Sequence, residues 1–132
     1  MENISFEDFK KVEIRIGKIL SAEKVENSEK LLKLLVDFGP APVVPVPETI
    51  DGFVEVKEDK DEGRIKRQIL AGIAQFYAPD ALIGKECPFA YNLAPKMLAG
   101  QESQGMILCP SSETGPVLLH PDKEIPAGSL VK

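Results

Sequence analysis

Two stretches with a two-residue period decide most of what this chain can become. Val12, Ile14 and Ile16 alternate with Glu13, Arg15 and Gly17, and Leu32, Leu34, Val36 and Phe38 recur at every second position. That period puts one set of side chains on one face of a strand, so each stretch reads as a half-buried β-strand. The first continues through Ile19 and Ala22 and is long enough to bend, with Gly17 as the expected bend or bulge. A polar turn around Glu26-Asn27-Ser28 separates the two, and Gly39 ends the second.

The flanking sequence adds short elements. Ser5 to Lys10 reads as a one-turn helix in which Ser5 caps the first N–H groups and Asp8 completes a capping box. Phe6 and Phe9 share one face of it and are expected to cover the end of the core. Downstream, 67–73 reads as a strand, and 79–84 as a short helix opened by Pro79 and stopped by Gly84. Strands follow from Pro88 through Phe89 and Tyr91, over 106–109 and over 117–119. A turn at Pro121-Asp122 precedes a last turn and short strand within 125–131. Five to seven short strands and two small helices favour a closed barrel or sandwich. The expected fold is all-β: a five-stranded OB-fold barrel with a small helix between its third and fourth strands.

Residues 40–66 break the rhythm. Pro40, Pro42, Pro45 and Pro47 cannot donate to a strand ladder, and Lys57 to Glu62 is unbroken charge. A short strand is expected at 52–56. With seven acidic and four basic residues the segment carries −3 of the chain's net −5. It reads as a Pro-rich acidic insertion in one domain spanning 1–132, because 132 residues suit a single core.

Charge and composition narrow the function classes. A net −5 argues against a strong electrostatic funnel for nucleic acid, though a local basic face remains open. No run of about 18 apolar residues offers a membrane span, and the N-terminus lacks the pattern of a signal peptide. Cys87 and Cys109 read as buried free thiols of a cytoplasmic protein, able to pair only if the fold brings their Cα atoms together.

Catalysis has little to stand on. His120 lies in a polar turn and reads as an exposed side chain. Ligand-spaced Cys, His or carboxylate clusters are missing, so neither a metal nor another cofactor is expected. Gly100 to Gly105 lacks the lysine of a phosphate loop. Two polar constellations stand out: the turn at 26–31, explicable as turn chemistry alone, and the stretch 92–106. The latter is longer than a hairpin needs. Its amides and hydroxyl can read base edges or 2′-hydroxyls, its lysine can hold phosphate, and its methionines can pack on a base.

The string Asn92-Leu93-x-Pro95-x-x-Leu98-x-Gly100-x-x-Ser103-x-Gly105-Met106 resembles the signature of the tRNA-binding domain found at the C-terminus of many methionyl-tRNA synthetases. Related domains occur in the structure-specific tRNA-binding protein and in the endothelial-monocyte-activating cytokine. Phe6-x-x-Phe9-x-x-Val12-x-Ile14-Arg15-Ile16-Gly17-x-Ile19 is similar too, as are Lys30-Leu31, Val36-Asp37-x-Gly39, the strand from Arg67 to Ala74 and Pro121-Asp122-Lys123-Glu124. The resemblance implies an OB fold with a C-terminal dimerisation extension, a homodimer, and a non-catalytic module that binds the tRNA elbow, with an aminoacyl-tRNA synthetase as a further partner. It implies RNA contacts at Asn27, Lys30, Asn92, Lys96, Ser103 and Met106, with Gly100 and Gly105 keeping the loop tight.

The sequence also departs from that pattern. Val25-Glu26-Asn27-Ser28-Glu29 replaces the family's usual His-Pro-Asn-Ala-Asp. Ala94 and Ala99 stand where lysine and arginine are usual, which removes about two phosphate contacts. The acidity and the missing cations favour an alternative from a related branch, a peptide-binding dimeric module like an export chaperone.

Overall fold

The computed structural model describes residues 2–40 and 63–132. Most of the 40–66 segment, including the strand expected at 52–56, lies outside the described residues. Among those described, helix α1 (Phe6–Phe9) is followed by β1 (Ile14–Lys24), β2 (Leu32–Pro40) and β3 (Arg64–Ala71). A 3-10 turn at Pro79–Ala81 leads to β4 (Glu86–Ala90). Short strands complete the order: β5 (Lys96–Leu98), β6 (Gln101–Ser103), β7 (Met106–Ile107), β8 (Ser111–Ser112), β9 (Gly115–Pro116) and β10 (Leu130–Val131).

The main sheet is antiparallel and ordered β3-β2-β1-β4-β7, with β10 added to β1. β1 serves two neighbours at once: residues 14–18 pair with β4, and residues 18–24 with β2. Changing partners along one long strand curls the sheet into a nearly all-β, barrel-like OB arrangement. Ile19, Leu32, Leu34, Val36, Ile69, Leu82 and Phe89 are fully buried inside it. Each such side chain contributes about 1.5–3 kcal/mol by leaving water. Phe38 meets Phe89 and Tyr91 edge-on, with ring centroids 5.5 and 5.0 Å away.

Several expectations are corrected. The irregularity in β1 falls between Ile19 and Ser21, not at Gly17. Gly17 is instead a point of close approach: a Cβ there would lie 2.4 Å from Val36 Cγ1 and 2.8 Å from Phe38 Cε1. Ser5 does accept the Asp8 N–H, but the Asp8 carboxylate pairs with Lys11. Phe6 and Phe9 do not cover the core; they are 72% and 46% exposed. β3 begins at Arg64, inside the expected insertion. Residues 117–119 form no strand of their own: Val117 carries the β8–β9 ladder on by one bond, to the Pro110 carbonyl at 2.9 Å, and the Leu118 N–H then goes to the Tyr77 hydroxyl at 3.3 Å.

Candidate nucleic-acid interface

β3 is the outer strand of the sheet, and the β5–β6 hairpin packs along it. Gln68 does most of the holding. Its carbonyl accepts the Gln104 N–H at 2.8 Å, its N–H donates to the Gln104 side-chain oxygen at 3.0 Å, and its side-chain amide donates to the Glu102 carbonyl at 2.8 Å. Two positions on, the Ser103 hydroxyl accepts the Leu70 N–H at 3.0 Å and donates to the Gly105 carbonyl at 3.0 Å. Arg67 lies 3.6 Å from the centre of the Tyr91 ring and donates to the carbonyls of Tyr91 and Gln104. At the hairpin tip, Ala99 and Gly100 both take positive φ, 48° and 78°, as a two-residue hairpin turn requires.

The turn between β1 and β2 lies at the same end of β3. The Ala74 N–H, just past that end, donates to the Lys30 carbonyl at 3.0 Å. Ser28 accepts the N–H groups of Lys30 and Leu31, and Asn27 takes the left-handed conformation (φ 68°) that asparagine tolerates. The last residues of β3 therefore bring the two constellations together: Leu70 touches the hairpin, and the chain beyond Ala71 touches the turn.

The six expected contact residues fare differently. Lys30 and Lys96 are exposed and make no ion pair among the described residues. Met106 is half exposed, and Met97 and Leu93 add further apolar surface. Asn27 is exposed, and its backbone shapes the turn. Ser103 is only 4% exposed, and its hydroxyl is hydrogen-bonded to the backbone of Leu70 and Gly105. Asn92 is exposed. Its amide accepts the Glu13 N–H at 2.7 Å and donates to the Lys11 carbonyl at 2.6 Å, fastening the chain that enters β1 to the end of β4. Gly100 has the turn conformation expected of it, and Gly105 packs against the Ala90 carbonyl.

The residues that sequence reasoning passed over are Gln68, Gln104 and Arg67. Arg67 had a signal, since it shares a face with Ile65, Ile69 and Ala71 where an apolar residue belongs. Gln68 had none, because its value depends on where the hairpin lands. Glu26, Glu29 and Glu102 are also exposed on this rim, so its field is mixed in sign. Among the described residues no three His, Cys, Asp or Glu side chains are grouped to hold a metal, and no helix is long and apolar enough to cross a membrane.

A curled β-sheet with a polar turn and a lysine-bearing hairpin at one end of its outer strand has the layout of a binding domain. The chain belongs to the family of putative tRNA binding domains, whose model matches residues 52–130. It is 41% identical over 131 residues to a methionine–tRNA ligase of Methanococcus aeolicus, and 41% over 128 residues to that of Thermotoga maritima. These alignments take in 99% and 97% of the chain but 16% of each ligase, so the chain spans about a sixth of the length of these relatives. Among solved structures it is similar to a MetRS related protein from Pyrococcus horikoshii, at 32% identity, TM-score 0.76 and full coverage of both chains. The chaperone CsaA from Bacillus anthracis matches at 27% identity and TM-score 0.73, over 99% of this chain and all of that one.

Proposed function

We propose that the chain is a single non-catalytic domain that binds tRNA by its shape and works beside a methionyl-tRNA synthetase in the cytoplasm. The observation that carries this reading is the convergence of the β1–β2 turn and the β5–β6 hairpin at the end of β3. Each presents one exposed lysine that makes no ion pair among the described residues, and Met97 and Met106 lie exposed on or beside the hairpin. Lys30 and Lys96 hold phosphates, and the methionines pack against an unstacked base. Asn27, Asn92 and Ser103 keep this surface in shape. With two cations and neighbouring carboxylates, affinity for RNA is modest, and attachment to a synthetase raises it by supplying a high local concentration.

The chain works as a homodimer in this reading. Phe6, Phe9, Val12, Leu130 and Val131 line an apolar groove of about 530 Å³ between α1 and β10, and a second copy of the same patch suits it by two-fold symmetry. A peptide-binding role is the second reading, favoured by the net charge of −5 and the likeness to CsaA. Gel shifts with total tRNA and with plain duplex RNA at two salt concentrations, beside a peptide array, separate these. Retention of tRNA over duplex that weakens with salt supports the first reading. Peptide capture without tRNA retention replaces it with the second.

A further inference from the structure

Cys87 and Cys109 are free thiols that the RNA reading does not use. In the β4–β7 ladder Phe89 faces Ile107 and Ala90 faces Met106. The same register continues past the end of β7, since the Leu108 N–H donates to the Pro88 carbonyl at 3.0 Å. Pro88 and Leu108 are thus a hydrogen-bonded pair, and the next pair along, Cys87 opposite Cys109, is a non-hydrogen-bonded one. Directly opposed residues point to the same face. At non-hydrogen-bonded positions the Cα atoms stand about 4.5 Å apart, at the near end of the range a disulfide spans. Both side chains lie on the core side: Cys87 is fully buried and Cys109 packs against the same cluster.

We propose that Cys87 and Cys109 form an oxidation site, a cross-strand pair that a two-electron oxidant such as a peroxide or a diazene converts to an intramolecular disulfide. With peroxide, the half-buried Cys109 thiol reacts first, giving a sulfenic acid and one water. The Cys87 sulfur then attacks the Cys109 sulfur, the S–O bond breaks, and the Cys87 proton leaves with the hydroxyl as a second water. With a diazene, the two thiol hydrogens pass to the N=N bond. His120 does not drive the step. Its Nδ1 is 2.8 Å from the Glu86 carbonyl and 3.7 Å from the Cys87 sulfur, so that nitrogen carries a proton for the carbonyl and has no lone pair for the thiol. Burial raises both thiols above their ordinary pKa, which makes oxidation slow. A disulfide whose leaving thiols are poor is correspondingly hard to reduce.

The ring so closed contains the whole β5–β6 hairpin, and the bond would tie the chain leaving that hairpin's loop to β4. The test exposes the folded full chain to excess diamide at neutral pH. Mass spectrometry without reductant is expected to show the loss of two hydrogens and a peptide linking Cys87 to Cys109, both reversed by dithiothreitol. The melting temperature should rise by about 5–10 °C, because the closed ring restricts the unfolded chain. Cys109→Ser, at a half-buried position, should abolish the mass change and the shift. Chains linked to one another, oxygen added at Cys109 while Cys87 stays free, or no reaction while the chain remains folded would each overturn the proposal.

Discussion

Replacing Ser103 by alanine separates the two roles a serine in this hairpin could play. The hydroxyl is buried, accepts the Leu70 N–H and donates to the Gly105 carbonyl. Alanine leaves the buried Leu70 N–H without a partner, at about 1–3 kcal/mol for an orphaned buried donor. The Gly105 carbonyl belongs to a half-buried residue and can turn to water, so its share is smaller. The expected loss is about 2 kcal/mol, which for a chain of 132 residues corresponds to a melting temperature lower by about 7 °C. Urea unfolding of Ser103→Ala beside Ser103→Thr, which keeps a hydroxyl, measures it. RNA retention of folded Ser103→Ala should fall only modestly, since the lysines stay. A variant of unchanged stability that no longer retains RNA would refute this reasoning and make the hydroxyl a direct contact.

Two further outcomes follow from backbone strain and from burial. Ala99 is held at φ 48°, where alanine is strained and asparagine is not, so Ala99→Asn should stabilise the chain by about 1 kcal/mol, read as a higher urea midpoint. Burial, with a smaller push from Cys109, raises the Cys87 thiol from 9.0 to about 12. The folded chain therefore keeps a proton that the unfolded chain loses near pH 9. The stability this gives is whole below that pH and declines above it by about 1.4 kcal/mol per pH unit. The fall between pH 9 and 10 should be shallower in Cys87→Ala than in the parent, and equal slopes would count against a buried neutral thiol.

The strands legible in the sequence are those whose two faces differ. Leu32 to Phe38 alternates because one side meets the core, and β2 lies where that period places it. The run at 117–119 reads as a strand by composition, yet only Val117 carries the β8–β9 ladder on, its N–H donating to the Pro110 carbonyl, and only Leu118 finds the core. Gly17 reads as a bend because local rules say so, whereas the reason for glycine is the approach of Val36 and Phe38 from another strand. The candidate site divides the same way. Lys30, in the β1–β2 turn, and Lys96, at the start of β5, are exposed charges. What the sequence does not show is that Ser103 and Asn92 hydrogen-bond to Leu70, Gly105, Glu13 and Lys11, partners that only the folded chain supplies.

The salt dependence of tRNA binding, compared between the parent chain and a Lys30→Ala, Lys96→Ala double variant, tests the central claim most directly. Both side chains are exposed, so the variant should keep its melting temperature. If each lysine neutralises one phosphate, the slope of log affinity against log salt should flatten by about two units, and retention at low salt should drop sharply. An unchanged slope and unchanged retention would place the RNA elsewhere on the molecule and contradict the account.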